Sequence, residues 1–312
     1  MFFLSKLSGL LIFLSFLTTL YSYFFSENLL IIAGIFAWVS FLILFSSLKN
    51  KTIIIVLLIL SVFAFCFSYF NGYKIDFVKV FTVNQYLLTL LIGVGFLRLI
   101  ATPKKDKLTQ FPIGKDSFIK TYFGVHLFGS VINLSSLILV ADKMYKKSPL
   151  TNTQVVLLTR AFASDAYWSP FFVAFAAAIT YAPKLDTSII LLNGIVLAFF
   201  AFLITYFEVV KNKEFKLDEF RGYPLSFESL YVPFILAILV LVTNYIYPNI
   251  KVIVLISAFS IFITLLIFPF RKGLSQSLIK FNKHIIEELP KMKVEMALFL
   301  VAGMFGISIS SI

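Results

Sequence analysis

Two short polar stretches interrupt an otherwise apolar chain and hold the side chains best suited to chemistry. One is Gly129-Ser130-Val131-Ile132-Asn133-Leu134-Ser135-Ser136; the other is Ser164-Asp165-Ala166-Tyr167-Trp168-Ser169-Pro170. A carboxylate among hydroxyl, amide and unwound backbone oxygens is a donor set for a small cation. Ser169 is a good N-cap and Pro170 suits the first position of a helix running from Phe171 to Tyr181. Such a helix start offers free N–H groups and the positive end of the helix dipole to an anion. The candidate ion- or substrate-binding residues are therefore Asn133, Ser135, Ser136, Ser164, Asp165 and Ser169.

Each of these has a structural alternative. Arg160, five residues before Asp165, could neutralise it or extend toward a surface. Asn133 and the serines could join helices by hydrogen bonds, and Tyr167 and Trp168 could belong to an interfacial aromatic belt. His126 reads as a packing residue in preference to a proton relay, and His284 as an exposed loop residue. The chain carries no H-E-x-x-H, G-x-S-x-G, Walker A or G-x-G-x-x-G pattern, so nothing points to an enzyme or a cofactor.

The elements that must position these residues are membrane helices. With 312 residues, 60% apolar and 13% charged, the chain has too little polar surface to cover a soluble globule. Its runs are continuously apolar without alternation, which excludes a membrane β-barrel. Cys66 is the single cysteine, so there is no intramolecular disulfide. The net charge of +12 sits mainly in short loops, where it reports topology and an anionic membrane face; it does not indicate nucleic acid.

Uncharged runs long enough to cross the hydrocarbon, roughly 20 residues each, are Leu7 to Phe25, Asn28 to Leu48, Thr52 to Phe70, Val80 to Leu97, Thr121 to Ala141, Thr187 to Phe207, Ser229 to Tyr247 and Val252 to Phe268. The first lacks a cleavage pattern and reads as a retained span. Thr153 to Ala182 is broken by Arg160, Asp165 and Pro170, and Met296 to Ile312 meets the end of the sequence. Lys and Arg concentrate in the loops Arg98 to Lys120, Lys211 to Arg221 and Arg271 to Lys293, which the positive-inside rule makes cytoplasmic, together with the N-terminus. The loop around Lys184 is then external. Between an internal Lys120 and an external Lys184 the chain crosses an odd number of times, yet two apolar segments lie there. The cluster Lys143, Lys146 and Lys147 selects Thr121 to Ala141 as a re-entrant hairpin with its turn near Asn133, where Gly, Asn and Ser suit non-helical backbone. Thr153 to Ala182, as one helix, would be about 45 Å long and overshoot the membrane, so it reads as two half-helices.

A hairpin bearing Asn and Ser, followed by a helix broken at a Ser/Asp/Pro cluster, resembles the ion transporter superfamily: divalent anion:sodium symporters, arsenite permeases and related sodium/proton antiporters. The resemblance covers mainly Thr121 to Ala182. Where the symporters carry Ser-Asn-Thr at the hairpin tip, this chain has Asn133-Leu134-Ser135-Ser136, so Asn133 alone carries over directly. It implies an all-α, polytopic inverted-repeat transporter of about 9–10 transmembrane segments. Residues 1–207 would form a first repeat, with hairpin 121–141, broken helix 153–182 and span 187–207; 208–228 a cytoplasmic connector; and 229–312 a partial second repeat, as in a fragment or a chain that dimerises. The expected function is secondary active transport of a small ion or organic anion across the plasma (inner) membrane, coupled to Na⁺ or H⁺. The alternatives are a non-transporting membrane scaffold or assembly subunit, and a sodium/proton antiporter titrating Asp165.

Overall fold

The computed structural model describes residues 2–49, 51–101, 111–132, 134–182, 184, 186–212, 214–223 and 231–312. The helices in chain order are α1 (Phe2–Phe25), α2 (Leu30–Phe45), α3 (Thr52–Phe70), α4 (Phe77–Thr82), α5 (Gln85–Ala101), α6 (Lys115–Ile132), α7 (Leu134–Tyr145), α8 (Asn152–Ala163), α9 (Val173–Tyr181), α10 (Thr187–Lys211), α11 (Tyr231–Ile246), α12 (Val252–Lys272), α13 (Leu274–Lys283) and α14 (Lys293–Ser310). Among the described residues there is no strand, and extended pairing is confined to the bridge between Ile113 and Arg221. Among the described residues seven helical stretches are long and apolar enough to cross a membrane: Leu4–Phe25, Glu27–Phe45, Thr52–Phe70, Phe77–Ile100, Ile189–Lys211, Val252–Lys272 and Leu274–Ser310. Phe234–Ile246 is a shorter apolar helix. The chain is an all-helical, multi-pass membrane protein.

Two compact units make up the chain, Met1–Phe96 with Ile250–Ile312, and Leu97–Asn249. They group segments by packing, whereas the repeat division at 207 concerns the kinship of segments.

In the first unit, α1 and α2 pack closely through small residues. Ser15 Oγ donates to the Ala33 carbonyl at 2.8 Å and Ser40 Oγ to the Ser8 carbonyl at 3.1 Å, bonds that tie helices where lipid offers no competing partner. The expected span Val80 to Leu97 lies within the stretch Phe77–Ile100, divided at Val83 and Asn84 into α4 and α5. Asn84 at their junction sends its amide to the Phe299 carbonyl at 2.7 Å, an anchor that outweighs continuation of the helix. Arg271 to Lys293, expected to be a cytoplasmic loop, is helical nearly throughout: the end of α12, then α13, a π turn at His284–Glu288 and a 3-10 turn at Leu289–Met292. His284 is buried, not exposed, with its ring 4.6 Å from that of Phe96; Phe281 stacks on the same ring at 5.0 Å. The aromatic cluster of Phe13, Phe96 and Phe281 takes the apolar face of this amphipathic stretch, which its sequence charge concealed.

In the second unit, α6 and α7 run back along one another. Lys147, just past the end of α7, lies with Nζ 5.7 Å from the centroid of the Phe111 ring, which precedes α6. Lys143 Nζ donates to Tyr223 Oη at 2.5 Å, while the neighbouring Gly222 N–H donates to Ser117 Oγ at 2.9 Å in the first turn of α6. Phe118, Tyr122, Val125, Val140, Met144, Leu157, Leu158 and Ala161 interdigitate as the core between α6, α7 and α8. A capping box starts α8: Thr151 Oγ1 accepts the Gln154 N–H at 3.3 Å and Gln154 Oε1 accepts the Thr151 N–H at 2.8 Å. The expected break in Thr153 to Ala182 is present, as a 3-10 turn at Ser164–Tyr167 and irregular chain up to Phe172. Its second helix begins at Val173, not Phe171, so Ser169 is not its N-cap and Pro170 not its first residue. Ser169 is held elsewhere: its hydroxyl donates to the Ser130 carbonyl of α6 and accepts the Phe171 N–H at 3.3 Å. This tertiary bond draws the chain across α6 and delays the helix.

Candidate functional site

The break after α8 delivers Ser164, Asp165, Trp168 and Ser169 onto the face of α6 that carries Tyr122, His126, Gly129 and Ser130. Asp165 lies four residues after Ala161 and seven after Leu158, and so continues the face of α8 that packs on α6. The 3-10 turn closes the chain there, with Trp168 N–H and Ser169 N–H both donating to the Asp165 carbonyl, at 3.3 and 3.0 Å, and brings Trp168 and Ser169 onto α6 as well. Gly194 of α10 lets the turn seat closely, since a Cβ there would collide with the Tyr167 carbonyl.

His126 is the hub. Its Nε2 accepts the indole N–H of Trp168 at 3.0 Å. An indole nitrogen only donates, so in this arrangement Nε2 is unprotonated and the imidazole is neutral, with its proton on Nδ1. Three oxygens surround Nδ1: Asp165 Oδ1 at 2.8 Å, Ser164 Oγ at 3.0 Å and the Ala161 carbonyl at 3.1 Å. The nearest is not the best aligned. Neither carboxyl oxygen of Asp165 has a hydrogen bond of good geometry among the described residues, and Asp165 is 0% exposed. Ser164 Oγ also lies 3.4 Å from Tyr122 Oη, which closes the polar chain on the far side.

Asp165 fits against bare backbone. A Cβ on Gly129 would overlap Asp165 Oδ2 and lie 3.0 Å from Ser136 Oγ, so the carboxyl occupies the space that glycine leaves in α6, with the Ser136 hydroxyl at its edge. A fully buried carboxylate without matched donors is expensive and requires an accompanying proton or cation.

The geometry limits the chemistry. In a Ser–His–Asp relay the serine and the aspartate occupy opposite ring nitrogens, one giving its proton while the other orients the ring. Here both crowd onto Nδ1 and an indole holds Nε2. Among the described residues no three His, Cys, Asp or Glu side chains converge as metal ligands. What the arrangement does offer is a neutral imidazole and a carboxyl in contact, able to hold one proton in two places.

Of the residues expected from the sequence, Ser164, Asp165 and Ser169 come together here and Ser136 borders them. Asn133 lies outside the described residues, as does the side chain of Ser135. Arg160 does not neutralise Asp165: its guanidinium grips Glu208 of α10, with Nη1 2.5 Å from Oε2 and Nη2 3.3 Å from Oε1. His126, expected as a packing residue, and Trp168, for which an interfacial belt was one alternative, are central to this cluster. The signal that could have promoted them was their polarity within an apolar segment beside a helix break. The chain matches no family model, no curated protein and no solved structure.

Proposed function

We propose that this protein is a secondary transporter whose coupling ion is the proton and whose proton-binding site is the His126–Asp165 pair. The observation that carries the reading is a carboxyl at 0% exposure, its oxygens without aligned hydrogen bonds, 2.8 Å from an imidazole nitrogen. Ionisable groups in membrane segments are costly and are kept mainly where ions or protons move. A proton suits the pair better than Na⁺, because the imidazole occupies the space beside the carboxyl where a hard cation would need several converging oxygens.

The helix pair α6–α7 is, on this reading, the re-entrant hairpin. Its return of Lys147 to Phe111 supports placing both flanking basic loops on one side, the cytoplasmic side of an inner membrane, with the N-terminus. The solute moved with the proton is a small ion or organic anion, as the resemblance to the ion transporter superfamily implies.

The test is proton flux in vesicles reconstituted with the full chain and loaded with a pH-sensitive dye, driven by an imposed membrane potential in a mixture of small inorganic and organic anions, since a coupled carrier moves no proton without its solute. The wild type should acidify or alkalinise the lumen according to the sign of the potential, and Asp165→Asn should abolish the response. Equal flux in both would remove Asp165 from the mechanism. No flux in either would favour the scaffold reading, and a response driven by a Na⁺ gradient alone would favour sodium/proton antiport.

A further inference from the structure

We infer that the Trp168 indole and the transported proton compete for the same atom, His126 Nε2, so that Trp168 is a latch which proton binding opens. The inference rests on the proton-coupled reading above and names the point at which the proton enters.

The chemistry is exclusive. Nε2 has one lone pair in the ring plane, and the indole N–H at 3.0 Å occupies it. When a hydronium ion or a water molecule delivers a proton, the Nε2–H bond forms, the hydrogen bond from Trp168 breaks, and two N–H groups then face each other. With Asp165 ionised, the pocket goes from one negative charge to an imidazolium–carboxylate pair of no net charge, and the donor keeps the compensating charge. The gain is electrostatic, because the new cation lies 2.8 Å from Asp165 Oδ1.

Access also favours this nitrogen. Asp165 is sealed at 0% exposure behind Gly129 and Ser136, and Nδ1 is ringed by three oxygens. Trp168 is half-buried and the adjacent Tyr167 is 45% exposed, so the route to the imidazole runs past the indole. Trp168 is moreover set in the break between α8 and α9, with φ −135° and ψ −22°, where rotation of the chain disturbs no helix. Its release would also loosen Ser169, whose bond to the Ser130 carbonyl holds the next residue to α6. Protonation is thereby tied to the seating of α9.

Few other charges face the pair. Tyr122 approaches from α6, and Tyr167 belongs to the 3-10 turn. Arg160 of α8 and Glu208 of α10 are bound to each other. On α7, Lys143 donates to Tyr223, and Asp142 lies beside it in the last turns of the helix.

The two tryptophans of the chain make the latch directly visible. Trp38 has a buried Nε1 with no acceptor among the described residues, so Trp38→Phe removes an unpaired donor and leaves Trp168 as the sole tryptophan. The full chain carrying Trp38→Phe, in lipid nanodiscs, is titrated from about pH 8 to about pH 5, the window in which histidine changes charge. The emission of Trp168 should shift to the red in a single step as its N–H leaves Nε2. The step should vanish in Trp38→Phe/His126→Gln, where an amide oxygen accepts the indole at every pH. Vesicle proton flux of Trp168→Phe is measured alongside and should be faster than wild type, since nothing then competes with the proton. Emission that ignores pH, or a step that survives His126→Gln, overturns the latch. A step seen in vesicles that carry no protons leaves the latch standing and overturns the transport reading, whereas proton flux with a flat emission does the reverse.

Discussion

Gly129→Ala is the perturbation that most directly tests the site, because the positions of Asp165 and α6 decide its outcome. The new Cβ would overlap Asp165 Oδ2 and press on Ser136 Oγ at 3.0 Å. Asp165 has little room to retreat: it is 0% exposed, and its turn is tied down by the Trp168 and Ser169 N–H groups and by the indole bond to His126. Forcing one methyl group into a filled site costs about 1–3 kcal/mol. Alanine is the better helix former by about 1 kcal/mol, so the net loss of stability should be about 0–2 kcal/mol. Gly306→Ala in α14 supplies the control, since a Cβ there meets nothing within 4 Å and should show the helix-propensity gain alone. Unfolding followed by helical circular dichroism in detergent would give the two opposite signs. The double variant Gly129→Ala/Asp165→Ala removes the obstructing carboxyl, so the two changes should be non-additive by about 0.5–3 kcal/mol in the relieving direction. Proton flux should fall in the single variant, as Oδ1 is displaced from His126 Nδ1, and should not return in the double. If Gly129→Ala matched Gly306→Ala in stability and kept wild-type flux, the carboxyl would not lie against α6 and the reasoning would fail.

Other consequences are local. Ser169→Ala strips the Ser130 carbonyl of its hydroxyl donor and the Phe171 N–H of its acceptor, and should cost about 1–3 kcal/mol in the same unfolding assay. Thr151→Ala breaks the capping box of α8 and should cost about 1 kcal/mol while leaving the pH response of Trp168 unchanged. In a Cys66→Ser background, cysteines placed at Lys115 and at Lys147 should both react with an impermeant thiol reagent from one side only. Labelling from opposite faces would make α6–α7 an ordinary crossing.

What the sequence determined by itself is what depends on near neighbours and on solvent. A chain 60% apolar, with its charges in short clusters, has to be a bundle of membrane helices, since hydrocarbon offers the backbone no other partners. The break after Ala163 was legible too: the apolar stretch is too long for one span, and Ser, Asp and Pro crowd where the helix stops. That Ser164, Asp165 and Ser169 would be turned inward toward other polar groups followed from their cost in such surroundings.

The tertiary structure decided which residue faces which. His126 meets Asp165 across the whole of α7 and α8, and Arg160 finds Glu208 instead of the carboxylate five residues away, because packing of α6, α8 and α10 selects neighbours that no local spacing encodes. The start of α9 moved to Val173 because Ser169 spends its hydroxyl on a carbonyl of another helix, which outweighs a local capping preference. His284 went inside because an aromatic cluster waited for it. Propensity acts over a few residues, whereas the partner of a buried polar side chain is set by the geometry of helices brought together from distant parts of the chain.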